Sequence, residues 1–111
     1  MRINKSFDNV KITMKDLSCM TAYTGLEYGL FERNDRYIIV KGNERGINIS
    51  KKVSTDIING KYKWVGHTHP GDTLNCLMPS DADYKVLKLL NQKSSIIYNS
   101  IGRYYIFEKE D

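Results

Sequence analysis

The sequence predicts an α+β fold built on a largely antiparallel sheet. Short extended segments recur along the chain, and two segments with helix-capping residues interrupt them. No low-complexity stretch, Pro-rich linker or internal repeat divides the 111 residues, so we expect one domain over 1–111. Apolar residues make up 41% and charged residues 27%, which is typical of a globular domain.

The first helix is predicted from its two ends. Residues 9–13 ("NVKIT") form a candidate short strand, and "TMKD" then resembles a capping box, with Thr13 as N-cap and Asp16 in place of the usual glutamate. Gly25 suits a helix C-terminus because it accepts a left-handed backbone. We therefore expect a helix over 14–24.

Extended segments account for most of the next 45 residues. The predicted strands cover 26–32, 36–41, 46–50 and 61–69. The turn "RND" separates the first two, "GINIS" alternates apolar and polar residues, and "KYKWVGHTH" has the aromatic and β-branched content of a strand. The segment "STDIINGK" leaves two structures open, a helical turn and a loop that ends at Gly60.

A second helix and a hairpin complete the predicted fold. Ser80 is a good N-cap, and Asp81 and Asp83 suit the first turn through the helix dipole, so we expect a helix over 80–91. The final "SSIIYNSIGRYYIFEK" predicts two strands with a turn near 99–102. The resulting order is β-α-β-β-β-β-α-β-β.

Charge, cysteine content and hydropathy exclude several classes of protein. No apolar run reaches the ~20 residues of a membrane helix, so no membrane partner is expected. The N-terminus lacks the apolar core of a signal peptide, which favours a cytoplasmic protein or a piece of a larger secreted one. The lysines behind the net charge of +4 are scattered, which favours a solvated surface over nucleic-acid binding. Two cysteines far apart in sequence favour free thiols.

Both histidines of the chain lie in "HTH". On a strand, His67 and His69 point to the same face and can clamp one zinc ion, although two exposed polar residues would show the same pattern. Asp83, on the first turn of the next helix, can add a carboxylate and complete the three protein ligands of an open catalytic site. Ser80 can cap the helix and also direct its hydroxyl or neighbouring backbone at a reacting oxyanion.

The motif "GHTHP…PSDAD" resembles the signature of the JAB/JAMM (MPN-like) metallopeptidases, H-x-H-P, a spacer, then S-x-x-D. The matching residues are His67, His69, Pro70, Ser80 and Asp83. The spacer is most similar to that of compact bacterial members such as the RadC group. The resemblance implies the JAB/JAMM, cytidine-deaminase-like fold, with a curved sheet flanked by two helices. It also implies Zn²⁺ on the histidines and the aspartate, and hydrolysis of a peptide or isopeptide bond.

The family also uses a glutamate as the general base that accepts a proton from the attacking water. The candidates are Glu27, Glu32 and Glu44. We choose Glu27 because it follows the first predicted helix and "E-Y-G-L" resembles the family pattern, with one residue fewer between glutamate and glycine. Glu32 and Glu44 are interpreted as solvated.

The resemblance spans about residues 13–108 and leaves the biological setting open. The long insertions with which larger members grip ubiquitin are missing, so the expected partner is a protein or peptide substrate, with ubiquitin-like proteins as one candidate. Compact bacterial members also occur as C-terminal toxin modules, which would imply an immunity protein as partner. A stand-alone cytoplasmic peptidase and a non-catalytic JAB-like scaffold are the alternatives.

Four residues near the motif have a structural and a functional interpretation. Cys76 is a small loop residue or, through its thiolate, a fourth zinc ligand. Trp64 is expected in the core on the face opposite the histidines, and Thr68 should point away from the metal by strand alternation. Asp72 is interpreted as a surface turn residue, with orientation of a ligand histidine as its functional alternative.

Overall fold

A computed structural model describes residues 6–7, 11–42 and 51–110. The elements in chain order are β1 (Ser6–Phe7), α1 (Met14–Thr24), β2 (Tyr28–Arg33), β3 (Arg36–Lys41), α2 (Lys51–Asn59), β4 (Lys63–Thr68), a 3₁₀ turn (Leu74–Leu77), α3 (Asp81–Leu90), β5 (Ser94–Tyr98) and β6 (Tyr104–Glu108). None of the helices in these ranges has the length and apolar content needed to cross a bilayer.

The strands form one mixed sheet in the order β1-β3-β2-β4-β5-β6. The β4–β5 pair is parallel, and the other four pairings between described strands are antiparallel. The predicted α+β class with a largely antiparallel sheet is therefore confirmed. Strand β4 is an inner strand, so its C-terminal end lies between β2 and β5.

Both predicted N-caps, Thr13 and Ser80, are confirmed, and both helix starts are capping boxes, although sequence predicted the box only at Thr13. At α1 the Thr13 side chain accepts the Asp16 N–H, and the Asp16 carboxylate accepts the Thr13 N–H. Ser80 and Asp83 make the same reciprocal pair at α3. Gly25 ends α1 with φ of +74°, in the left-handed region predicted for it.

The structure corrects the helix count and the first strand. The segment that sequence left open belongs to α2, because Val53 and Ile57 bury one helical face, and the chain therefore has three described helices where two were predicted. Residues 11–13 are not a strand, because the Thr13 N–H donates to the Asp16 carboxylate and is not available to pair with a neighbouring strand. The rest of that predicted strand, 9–10, and the strand predicted at 46–50 lie outside the described residues.

Helices cover both faces of the sheet. On one face, α1 buries Met14 and Leu17 against residues such as Leu30 of β2. On the other face, α2 and α3 pack over a larger cluster that includes Phe31 and Trp64. Neighbouring residues of β2 thus serve opposite cores, as strand alternation requires.

A β-bulge in β4 decides which face carries Trp64. Leu30 pairs with Gly66, but the next residue, Phe31, pairs with Trp64, so that Val65 is an extra residue. The bulge shifts the alternation by one, and the Trp64 ring stacks on His67 with centroids 4.8 Å apart. The prediction that Trp64 is buried is confirmed. The predicted face is wrong, because simple alternation does not hold across a bulge.

Gly66 allows the close approach of β4 and β5 next to His67. A Cβ atom here would overlap Cγ2 of Ile96 and lie 2.6 Å from the Ile96 carbonyl oxygen. We expect Gly66→Ala to lower the free energy of unfolding by about 1–3 kcal/mol, measured by urea denaturation. Gly102→Ala gives the cost of backbone strain without overlap, since its φ is +83° and its Cβ would meet nothing within 4 Å. A Gly66→Ala variant as stable as the wild type would contradict the close approach.

Candidate metal centre

The two histidines lie at the C-terminal end of β4. His67 is fully buried and sits between Gly29 of β2 and Ile97 of β5. His69 follows directly after the strand, and its N–H donates to the Tyr98 carbonyl at 2.9 Å, which continues the parallel pairing with β5. The backbone of each histidine is therefore held by neighbouring strands, and this fixes the position from which its imidazole projects.

Thr68, between the histidines, points to the opposite face, as predicted. Its hydroxyl contacts the Thr21 hydroxyl of α1 and accepts the Tyr28 N–H at 2.9 Å. Hence this residue ties the end of β4 to the first helix and leaves the face of the histidines clear.

Three side chains converge on that face. The Nε2 atoms of His67 and His69 are 3.0 Å apart. Asp83 places Oδ1 3.0 Å from Nε2 of His67 and Oδ2 3.4 Å from Nε2 of His69. Its carboxylate is held in place because the Ser80 N–H donates to Oδ2 at 2.9 Å. The structure thus brings together the three residues that sequence predicts as ligands.

The spacing of these donor atoms fits a single small cation. Around a tetrahedral zinc ion with bonds of about 2.0–2.1 Å, ligand atoms lie about 3.3 Å apart. The 3.0 Å between the two Nε2 atoms is close to that value, as are the contacts of 3.0 and 3.4 Å that the two different oxygens of Asp83 make with His67 and His69. Two imidazole nitrogens and a carboxylate oxygen are also the donor types that zinc takes. The residues present therefore fit the metal.

Glu27 lies at the edge of the same cluster. Its Oε1 is 4.0 Å from Nε2 of His69, and ligand atoms of Glu27, His67 and His69 all lie within 4.8 Å of one another. These three residues could hold a metal ion. Asp83 is closer to the imidazoles than Glu27 is, so we favour Asp83 as the ligand and place Glu27 beside it.

Of the other two candidate glutamates the structure describes only Glu32, which does not lie at the histidines. Glu32 pairs with Lys63, at the end of β4 remote from His67. Glu44 lies outside the described residues. Glu27 is positioned by the chain that leaves α1, and its carbonyl accepts the Gly42 N–H at 2.7 Å.

Burial and charge set the protonation states that the protein alone imposes. Burial raises the pKa of Glu27 to about 7, aided by the charge of Asp83 and opposed by His69. Burial lowers the pKa of His67, which favours the neutral imidazole. Burial would also lower the pKa of His69, but the hydrogen bond and charge of Asp83 and the charge of Glu27 raise it overall.

Asp83 is the ionised partner of the cluster. Burial opposes its charge, but the hydrogen bonds to His67 and His69 outweigh burial and hold the pKa of Asp83 well below its ordinary value. The cluster thus requires positive charge between its imidazoles and carboxylates, which a proton on His69 or a bound cation can supply.

The backbone of Cys76 orients His69. Its carbonyl accepts a hydrogen bond from Nδ1 of His69 at 2.9 Å, which places the proton on Nδ1 and leaves the Nε2 lone pair for a cation. The Cys76 thiol instead lies 3.2 Å from the Thr73 hydroxyl. Among the described residues, the group whose ligand atoms all lie within 4.8 Å of one another consists of Glu27, His67 and His69. Neither Cys76 nor Asp83 belongs to it, and Asp83 is a candidate ligand because it contacts both imidazoles. Sequence gives no signal for the orienting role of Cys76, because any residue type has a carbonyl.

The remaining predicted site residues are placed as follows. The Ser80 hydroxyl oxygen accepts the Asp83 N–H at 3.2 Å, so its own proton stays available to a substrate oxygen. Asp72 is exposed, in agreement with a surface turn residue. Cys19 and Cys76 are both free thiols, as predicted. Nδ1 of His67 is buried without a hydrogen-bond partner in the described structure, a feature that is rare outside functional sites.

Comparison with protein-family models and with curated proteins finds no match for this chain. The resemblance to the JAB/JAMM signature therefore depends on the motif residues themselves.

Gly71 is expected to control zinc affinity through Cys76. Gly71 has φ of +118°, and a Cβ there would overlap Sγ of Cys76. Gly71→Ala strains the backbone and forces the Cys76 sulfur to turn away. We expect the carbonyl that holds His69 to shift with it and the zinc dissociation constant to rise about 10–100-fold, measured by chelator competition. Gly102→Ala, with φ of +83° and open space, tests backbone strain alone.

A second substitution separates the steric cause from loop strain. Adding Cys76→Ala to Gly71→Ala removes the overlapping sulfur and leaves the Cys76 Cβ at 3.6 Å, so part of the affinity should return. Equal zinc affinity in Gly71→Ala and Gly102→Ala would show that the Cys76 carbonyl is not displaced or that its position does not affect zinc binding.

Proposed function

We propose that this chain is a zinc metallopeptidase of the JAB/JAMM type, which hydrolyses a peptide or isopeptide bond. The observation that carries the proposal is the convergence of His67, His69 and Asp83 beside the partly buried carboxyl of Glu27. The α+β architecture, with its helices on both faces of a mixed sheet, is compatible with that family. Zinc, the family and the substrate class all belong to this proposal.

The proposed site would hold the metal through Nε2 of both histidines and one oxygen of Asp83. Bound zinc supplies Lewis acidity, which polarises a carbonyl and lowers the pKa of water to about 7. Asp83 contributes negative charge, and its second oxygen stays engaged with the Ser80 N–H. His67, neutral because it is buried, contributes a nitrogen without adding charge.

Glu27 is the proposed general base. At 4.0 Å from Nε2 of His69, its Oε1 is too far to compete with the nearer donors but close enough to reach a water beside the histidines. Its buried carboxyl would accept the proton of the attacking water and return it to the leaving amine. The Ser80 hydroxyl, whose oxygen accepts from the Asp83 N–H, would donate a hydrogen bond to the developing oxyanion.

Three matched variants test this function on a panel of peptide and isopeptide substrates. Glu27→Gln should keep zinc and lose about 10²–10⁴-fold in kcat/KM, because the amide cannot accept a proton. His67→Ala should lose both zinc and hydrolysis. Glu32→Gln is the control, since Glu32 lies at the other end of β4, and it should retain wild-type activity.

The outcomes distinguish the enzyme from the scaffold alternative. A zinc-loaded wild type that cleaves no member of the panel would favour a non-catalytic domain. Full activity in Glu27→Gln would place the base elsewhere and contradict the proposed role of Glu27.

A further inference from the structure

The segment that joins the ligands contributes exposed apolar side chains next to the metal centre. It begins after His69 and ends at Asp83, so both of its ends belong to the site. Leu77 is buried in the core and anchors the 3₁₀ turn. Leu74 and Met78 instead leave 66% and 64% of their surface exposed. Exposed large apolar residues held on an anchored segment are typical of interaction sites.

Chain geometry keeps both apolar residues close to His69. Leu74 and Met78 are each two residues from Cys76, whose carbonyl is 2.9 Å from Nδ1 of His69. Since consecutive Cα atoms are 3.8 Å apart, their Cα atoms lie no more than about 7.6 Å from that of Cys76. Both residues therefore lie close enough to contact a substrate residue that neighbours a bond held at the site.

The charge of the same segment differs from that of the whole chain. The protein carries 17 Lys and Arg against 13 Asp and Glu, yet residues 64–84 contain no Lys or Arg. Within this stretch Asp72 is exposed and lies two residues from Leu74, whereas the exposed Asp81 lines a pocket with Lys85, Lys88 and Lys109. The part of the segment around Leu74 is thus apolar and acidic on a protein of net positive charge.

We infer that the substrate is an extended peptide segment that carries an apolar side chain next to a basic one. This inference rests on the proposed function. Leu74 and Met78 would cover the apolar side chain, and Asp72 would attract its basic neighbour. The apolar contact should dominate, because burial of apolar surface gains more than an exposed ion pair.

Four peptides of equal length test the inference, with an apolar or polar side chain combined with a basic or acidic neighbour. The readouts are kcat/KM for the wild type and the dissociation constant for zinc-loaded Glu27→Gln, which reports binding without turnover. We expect the apolar and basic peptide to be preferred, about tenfold through the apolar side chain and about two- to threefold through the basic one.

Substitutions assign each preference to its residues. Leu74→Ser and Met78→Ser should each reduce the apolar preference and leave the zinc affinity unchanged. Leu89→Ser is the control, since Leu89 is 61% exposed but lies on α3 beside Ile57 and Ile58 of α2. Asp72→Asn should reduce the basic preference, which should also weaken with salt. Asp56→Asn, on exposed α2 surface, is its control.

Each result supports or overturns the inference. Equal binding and cleavage of all four peptides, or an apolar preference that survives Leu74→Ser and Met78→Ser together, overturns it while the proposed hydrolase stands. Selective binding to zinc-loaded Glu27→Gln without any wild-type cleavage supports the docking surface and contradicts the hydrolase. If the protein shows no selective binding and no cleavage, both the inference and the proposed hydrolase are overturned.

Discussion

The meeting of two imidazole nitrogens and one carboxylate at the end of β4 is the interaction on which the rest of the site depends. It brings two lone-pair donors and a negative charge together in a largely buried place, where unpaired charge is costly. The parallel pairing with β5 fixes the histidines, and the capping box of α3 fixes Asp83. The arrangement at the C-terminal end of this inner strand therefore needs a positive charge to be stable.

That requirement links the metal to the stability of the domain. His67 is buried with an unpartnered Nδ1, and its ring is packed against Trp64 instead of being hydrogen-bonded on that side. A cation bound at Nε2 would bind the folded chain and not the unfolded one, so it would stabilise the fold by mass action. The Trp64 packing that the bulge in β4 creates is therefore part of the support of the site.

Sequence predicts the parts of this structure that local chemistry decides. Thr13 and Asp16 form the predicted capping box, and Ser80 is the predicted N-cap of the second helix, where Asp83 completes a box that sequence did not predict. His67 and His69 converge because residues two apart share a strand face. These features depend on neighbours along the chain, and sequence contains that information.

Features that depend on contacts between distant segments were missed. The face of Trp64 depends on a bulge between β2 and β4, and the pattern of β4 alone does not show where an extra residue is placed. Helix α2 depends on the packing of Val53 and Ile57 against a core that other segments supply. The orientation of His69 depends on the backbone carbonyl of Cys76, and the residue type at a position does not indicate what its carbonyl contacts.

X-ray absorption at the zinc edge, on protein loaded with one equivalent of zinc, tests the central claim most directly. We predict a first shell of nitrogen and oxygen only, at about 2.0–2.1 Å, with outer-shell scattering from two imidazole rings. A sulfur atom at about 2.3 Å, scattering from fewer than two rings, or failure to retain zinc would contradict a centre made by His67, His69 and Asp83.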